Sequence, residues 1–232
     1  MSTIASNLHA VKARIAAAAH AAGRAAEDVL LLAVSKTFAA EYVHECAAAG
    51  QRAFGENYLQ EALDKIDALR NFDPGTLNIE WHFIGPIQSN KTRPIAENFL
   101  WVHSLERERI AVRLNDARPP ALPPLNVCIQ VNISGEASKA GVAPDETRAL
   151  AQAIAALPRL SLRGLMAIPE PTADTTLRRQ RFALLRELQA KLLAQGHPLD
   201  TLSMGMSDDL EDAIAEGATL VRIGTAVFGK RA

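Results

Sequence analysis

The chain has 232 residues, which suits one large α/β domain better than two. Its 25 Lys and Arg against 26 Asp and Glu give a formal net charge of −1, so no global field draws it to nucleic acid or to an anionic membrane. Cys46 and Cys128 fit neither a disulfide scaffold nor a CxxC zinc site; with no run of about 18 apolar residues and no secretory signal, a soluble cytoplasmic protein is expected.

The sequence opens on an amphipathic, alanine-rich stretch predicted as a helix over Thr3–Ala21, carrying His9, Lys12, Arg14 and His20. Short β-type runs then alternate with helical ones. The first predicted strand, Val29–Val34, is followed by Lys36 and a helix over Ala40–Ala49 that Gly50 closes. A short strand near Arg52–Gly55 leads to a helix over Asn57–Leu69. Strand three is Ile79–Ile84, followed by a helix over Asn90–Asn98 with Ser89 as its cap. Strand four is Leu100–Ser104, with a helix over Glu106–Asn115. The run Arg118-Pro-Pro-Ala-Leu-Pro-Pro124 is short enough for a loop and does not split the chain.

Strand five, Asn126–Ile133, is the most β-branched. A polar loop, Ser134–Gly141, follows it. Pro144, Asp145 and Glu146 make a good first turn for a helix over Pro144–Ala156. Strand six is Leu162–Ile168, followed by a helix over Asp174–Gln195. Strand seven is Thr201–Met204, with a helix over Asp208–Glu216. Strand eight is Thr219–Ile223. Eight alternating units predict a parallel sheet closed as a (β/α)8 TIM-type barrel with an extra N-terminal helix, residues 1–232 forming a single domain. An open doubly wound sheet is the alternative, but no GxGxxG follows the first strand.

Lys36 stands where a buried strand reaches the barrel mouth, the face on which barrels place their chemistry. A partly desolvated amine there can lose its proton and attack an aldehyde. Near the other end, Ser203-Met-Gly-Met-Ser207-Asp-Asp runs from strand seven into a helix start capped by Ser207 or Asp208, and Gly224-Thr225 follows strand eight. Helix starts with free N–H groups hold phosphate, and barrels often bind it after strands seven and eight. Asp208 and Asp209 must then point away from it. Alternation puts Leu220, Arg222 and Gly224 on one strand face, and Leu32, Val34 and Lys36 on the matching face of strand one. Those strands are neighbours in a closed barrel, so Lys36 and Arg222 face a common pocket. Lysine, phosphate cradle and arginine together suit pyridoxal 5′-phosphate (PLP), the arginine meeting the ring nitrogen. A phosphorylated sugar in an aldolase-like site is the alternative.

Trp81-His-Phe-Ile-Gly-Pro-Ile-Gln-Ser-Asn-Lys91 resembles the signature of the pyridoxal phosphate homeostasis protein family. So do Ala33-Val-Ser-Lys36, Phe54-Gly-Glu-Asn-Tyr58, Leu202–Asp209 and Val221-Arg-Ile-Gly-Thr-Ala226, in family order, with Ile87 a conservative departure. The resemblance implies a PLP-binding barrel similar to the alanine racemase N-terminal domain, of PLP fold type III without the C-terminal β-domain. It implies Lys36 as the Schiff-base lysine, Ser207, Gly224 and Thr225 as phosphate ligands, Arg222 at the pyridine nitrogen and Asn57 near the cofactor. It further implies a non-catalytic role in vitamin B6 and amino-acid homeostasis. Since the chain stops at Ala232, the expectation is a monomeric PLP reservoir without the racemase's second domain, handing PLP to apo-enzymes. Neither membrane nor nucleic acid is expected as a partner. A weakly active racemase-like enzyme is the competing reading.

Other residues invite chemistry less. His82 and His103 read as hydrogen-bonded barrel histidines, with His103-Ser104 reaching the mouth. Lys139 in the loop after strand five reads as a solvated lysine or a secondary PLP acceptor. Arg178, Arg179, Arg181 and Arg186 read as a solvated helix face with Glu187 as nearest acid, and Cys46 as packing.

Overall fold

Alternate side chains of a strand point to opposite faces, and in this chain one set meets helices while the other fills the centre of a closed sheet. The computed structural model describes residues 3–72, 78–136 and 140–229. Its strands are β1 (Leu30–Val34), β2 (Ala53–Glu56), β3 (Glu80–Phe83), β4 (Trp101–Leu105), β5 (Leu125–Gln130), β6 (Leu160–Met166), β7 (Thr201–Ser203) and β8 (Leu220–Ile223). They pair in parallel, in chain order, into a closed barrel. The doubly wound alternative is thereby set aside. Closure pairs β1 with β8 in the register Leu30↔Leu220, Leu32↔Arg222 and Ala33↔Ile223.

The helices are α1 (Thr3–Ala21), α2 (Ala40–Ala48), α3 (Leu59–Phe72), α4 (Thr92–Asn98), α5 (Glu108–Ala117), α6 (Thr147–Ala155), α7 (Thr175–Ala194), α8 (Leu210–Ala215) and α9 (Thr225–Phe228). α1 buries Ile4, Leu8, Val11, Ile15 and Ala19, an apolar stripe at helical spacing. It lies across α8 and α9 rather than forming one of the β/α units: Asn7 Nδ2 donates to Val227 O of α9 at 3.1 Å, Arg14 pairs with Glu211 of α8, and just past the helix Arg24 Nη1 donates to Ala218 O at 2.7 Å. α7 is capped as its sequence predicts, the Asp174 carboxylate accepting from Thr176 N and Leu177 N.

Several predicted boundaries move, each for a local reason. Residues 143–146 form a turn ahead of α6, closed by Ala143 N donating to Glu146 Oε2. Ser89 opens a short 3-10 turn, and its carbonyl accepts from Thr92 Oγ1 at the start of α4. The four arginines of α7 are not a free basic face. Arg178 and Arg179 both pair with Asp212, Arg181 with Glu170 and Arg186 with Glu216, so the acids come from other elements and not from Glu187.

The barrel centre divides in two. Leu32, Ala53 and Leu220, with Ile84 against them, form an apolar cluster separate from the outer core. The other part is polar and buried: His82, His103, Ser203 and Arg222, the last paired across the β1–β8 seam with Leu32. Cys46 and Cys128 are both buried, and burial pushes each thiol up to about 12, so both stay protonated.

The proline-rich run between α5 and β5 is a loop, as its length suggests, and a buried cation organises it. Arg118 is 1% exposed. Its guanidinium donates to Pro123 O at 2.8 Å, Ala96 O at 2.5 Å and Phe99 O at 2.8 Å, tying the loop to the end of α4. Removing this donor set strands three carbonyls. Arg118→Ala is expected to lower stability by about 3 kcal/mol, measurable as a fall in the urea midpoint with little change in slope.

Candidate functional site

The C-terminal ends of six strands and the loops after them enclose a cavity of about 260 Å³. Val34 ends β1 and Lys36 follows it, Asn57 follows β2, Met166 ends β6 and Ile168 follows it, and Met206, Ser207 and Asp208 follow β7. Arg222, Gly224 and Thr225 come from β8 and the turn into α9. Ile84 and Phe38 complete an apolar wall. All six site residues expected from the sequence therefore line one cavity: Lys36, Asn57, Ser207, Arg222, Gly224 and Thr225. A second cavity, of about 450 Å³, lies at the opposite mouth beside Lys12, Arg52 and Glu80. It is larger, but it sits at the strand N-termini, where barrel residues commonly serve stability.

Arg222 is 4% exposed. Its Nη1 donates to Ser203 O at 2.5 Å and Ser203 Oγ at 2.8 Å, and its Nη2 donates to Ala167 O at 2.8 Å. Burial pulls its pKa down to about 10, against the pull of the Asp209 charge, so it remains a cation at neutral pH. The partners the sequence left open are thus carbonyls and a hydroxyl rather than a carboxylate.

Lys36 is aimed by a network behind it. Phe38 N bonds back to Ser35 O, a tight turn that places Thr37 at φ 69°, a conformation that disfavours a β-branched residue. Thr37 N donates to Glu61 Oε1 at 2.5 Å. Lys65 Nζ donates to Ser35 O and Glu56 Oε1, both at 2.7 Å, and to Glu61 Oε1 at 2.5 Å. Ser35 Oγ donates to Glu56 Oε1 at 2.7 Å. The backbone on both sides of Lys36 is therefore fixed to one buried cation and its two acids. Sequence reasoning missed all three; the only trace was Glu61 and Lys65 at i,i+4 on a helix.

The loop after β7 is held from both sides. Gly205 has φ 94°, and a Cβ there would lie 2.6 Å from Ala213 Cβ, so the close pass over α8 requires glycine. Arg14 of α1 donates through Nη1 to Ser207 O at 2.8 Å and pairs with Glu211. Neither Ser207 nor Asp208 caps α8. The N-cap is Asp209, whose Oδ1 instead accepts from Met206 N at 2.5 Å, closing the loop on itself. Asp209 thus turns into the loop, and Asp208 lies exposed at the cavity rim.

Asn57 Oδ1 is buried without a hydrogen-bond partner. Its backbone is tightly backed, since a Cβ on Gly85 would fall 2.0 Å from Asn57 O. Gly85 O in turn accepts from Ser104 Oγ at 2.5 Å. His82 and His103 do not line the cavity. Both are fully buried below it, and Ser104 supports Gly85 rather than opening to the mouth. Lys139 lies outside the described residues, as do the neighbouring positions 137 and 138.

A parallel barrel with a lysine after β1 and an arginine beside it on β8 defines a class. The family model described as alanine racemase, N-terminal domain, matches residues 6–232. A pyridoxal phosphate homeostasis protein of Pseudomonas aeruginosa is 64% identical over 231 residues, covering 100% of this chain and 97% of that protein. One from Escherichia coli is 54% identical over 235 residues, covering 100% and 98%. The chain belongs to the pyridoxal phosphate homeostasis protein family. PipY of Synechococcus elongatus, solved with PLP bound, superposes with a TM-score of 0.83 at 34% identity, over 98% of this chain and 100% of that one. Alanine racemase of Corynebacterium glutamicum shares the fold at 19% identity and a TM-score of 0.67, this chain covering 62% of it.

The strut behind Lys36 makes a pH-dependent prediction. Glu56 is fully buried, and burial raises its pKa despite Lys65 and Ser35. Lys65→Met removes the compensating cation and raises it further. Below the ordinary carboxylate range Glu56 is protonated folded and unfolded, so its charge then costs nothing. The penalty grows as pH rises from that range through the raised folded value. Lys65→Met is expected to lose about 3–5 kcal/mol at neutral pH and distinctly less near pH 4, read as urea midpoints across the range.

Proposed function

We propose that this protein binds PLP in the cavity at the strand C-termini and serves as a PLP carrier in vitamin B6 and amino-acid homeostasis. The observation that carries this reading is the convergence of Lys36, Arg222 and the Gly224-Thr225 turn on one cavity. The name shared by the relatives at 64% and 54% identity supports the same assignment.

The residues present fit the cofactor. Asn57 Oδ1 is buried without a partner, so the side-chain amide is uncommitted and would offer its Nδ2 to the ring oxygen of bound PLP. Ser207, Gly224 and Thr225 offer hydroxyls and backbone amides for the phosphate, on a loop that Arg14 fixes from outside. Arg222 would face the ring nitrogen as a donor that does not readily give up its proton. Bound PLP supplies an aldehyde, which a lysine amine holds covalently and reversibly. Lys36 is that amine, and the Lys65 network keeps its backbone from swinging.

Holding rather than turnover follows from the lining. Among the described residues around the cavity, the ionisable ones are Lys36, Asp208 and Arg222. Asp208 is at the exposed rim, and Arg222 keeps its proton. Moving a proton between the two faces of a bound amino acid calls for a second positioned acid or base, and these residues do not offer one. The protein is read as a cytoplasmic monomer that passes PLP to apo-enzymes.

Purified protein loaded with PLP is expected to absorb at the violet edge of the visible range, and borohydride is expected to fix the label on Lys36. A Lys36→Ala protein that still yields a full borohydride-fixed adduct would exclude the assignment. Asn57→Ala should weaken PLP binding about tenfold, the loss of roughly one hydrogen bond, by fluorescence titration. Adding apo-enzyme together with a PLP trap separates contact transfer, which the trap does not suppress, from simple release, which it does. Racemisation faster than with free PLP would overturn the carrier reading.

A further inference from the structure

A line of hydrogen bonds crosses the barrel below the cavity. Arg222 Nη1 donates to Ser203 Oγ at 2.8 Å. Ser203 Oγ lies 2.8 Å from His103 Nδ1, and His103 Nε2 lies 2.9 Å from His82 Nδ1. His82 Nε2 then faces the Glu80 carboxylate at 3.8 Å. Ser203, His103 and His82 are all 0% exposed, whereas Glu80 opens β3 at the opposite mouth, with its side chain 45% exposed. His82 stacks on Trp101 with ring planes 4° apart, and the Arg163 guanidinium lies over the same indole.

One proton order satisfies this line. Arg222 is a donor only. Ser203 Oγ accepts from it and gives its own proton to His103 Nδ1. His103 therefore carries its proton on Nε2 and donates to His82 Nδ1. His82 in turn carries its proton on Nε2, directed at Glu80. The reverse order fails at both ends. It leaves the Ser203 proton without an acceptor among the described residues, and it sets a bare, buried His82 nitrogen against a carboxylate. Both imidazoles are neutral in this order. Burial lowers the pKa of each, and the Arg222 charge further disfavours a proton on His103.

The structure assigns Ser203, His103 and His82 as positioning residues for Arg222. They form a relay of fixed proton order that presents a lone pair, and not a proton, to the guanidinium. Ser203 Oγ and O occupy both Nη1 protons, and Ala167 O takes one on Nη2. That leaves Nε–H and one Nη2–H for an occupant of the cavity. The positioning role rests on the PLP reading above, whereas the proton order stands on the chain alone.

Two measurements test this. The first is ring-nitrogen NMR of histidine-labelled protein without PLP, from pH 6 to pH 8. His82 and His103 are expected as neutral Nε2–H tautomers throughout; an Nδ1–H tautomer or a cation at either would overturn the relay. The second uses PLP-loaded Ser203→Ala, with Ile154→Val in the outer core as a control for general loosening. Ser203→Ala should release PLP about tenfold faster, as for roughly one lost hydrogen bond, and shift the absorption of the bound cofactor, while Ile154→Val should do neither. Release at the wild-type rate with an unchanged spectrum would refute the positioning role. Failure of the wild-type chain to take up PLP would refute the cofactor reading and the positioning role with it, and the tautomers would still decide the proton order.

Discussion

Closure of β8 onto β1 is the constraint on which the site depends. The register Leu32↔Arg222 sets the parity of both strands at once, so that Lys36, beyond the end of β1, and Arg222 on β8 open into the same space. A slip of one residue would turn Arg222 into the helical layer, where its charge would meet Val221 and Ile223 neighbours instead of Ser203 and Ala167. The seam joins the two ends of the chain, a contact with high loop-closure cost. α1 meets this cost from outside, bonding Val227 O through Asn7 and Ser207 O through Arg14. The extra helix is therefore part of the site's support.

Two cations near the site are held in opposite ways. Lys65 is surrounded by Glu56, Glu61 and Ser35 O, so its charge is neutralised where it stands and the ammonium acts as an anchor. Arg222 is given carbonyls and a hydroxyl, so its charge is solvated but not neutralised. A guanidinium tolerates this better than an ammonium, being more weakly hydrated and having five donors to distribute. The consequence is functional. An anchor exerts little pull on a ligand, whereas an un-neutralised cation with two donors left at a cavity wall attracts an acceptor.

The sequence displayed the parts of the fold that depend on periodicity. Eight β-type runs, their alternation with helices and the parity of Lys36 with Arg222 all follow from spacing within one element. What could not be read depends on packing between elements. Glu61 and Lys65 look like an exposed i,i+4 pair until α3 sets Lys65 beneath Ser35. His82 and His103 look like separate barrel histidines until the barrel brings β3, β4 and β7 together. Arg178 and Arg179 look solvated because Asp212 is remote in sequence. Asp209 looked like part of a helix start beside Ser207, but its carboxylate serves the loop amide of Met206, since closing a tight glycine-containing turn competes for the same acid.

The distribution of exchangeable protons bears on why a fold shared with racemases is read here as a carrier. Both imidazoles inside the barrel are committed to one line of hydrogen bonds, which His82 Nε2 ends by facing the Glu80 carboxylate at 3.8 Å, and neither lines the cavity. Serving as an acid or base toward a ligand would require His103 to break two buried hydrogen bonds and His82 to break one. Glu56, the most deeply buried carboxylate near Lys36, has one oxygen held by Ser35 and Lys65 and is likewise turned away from the cavity. The buried titratable groups around the site are thus engaged in bonds behind Lys36 and Arg222. A site organised in this way favours a well-oriented ligand over rapid proton traffic, which is why the carrier reading proposed above places release at Lys36 rather than at the ligand's carbon atoms.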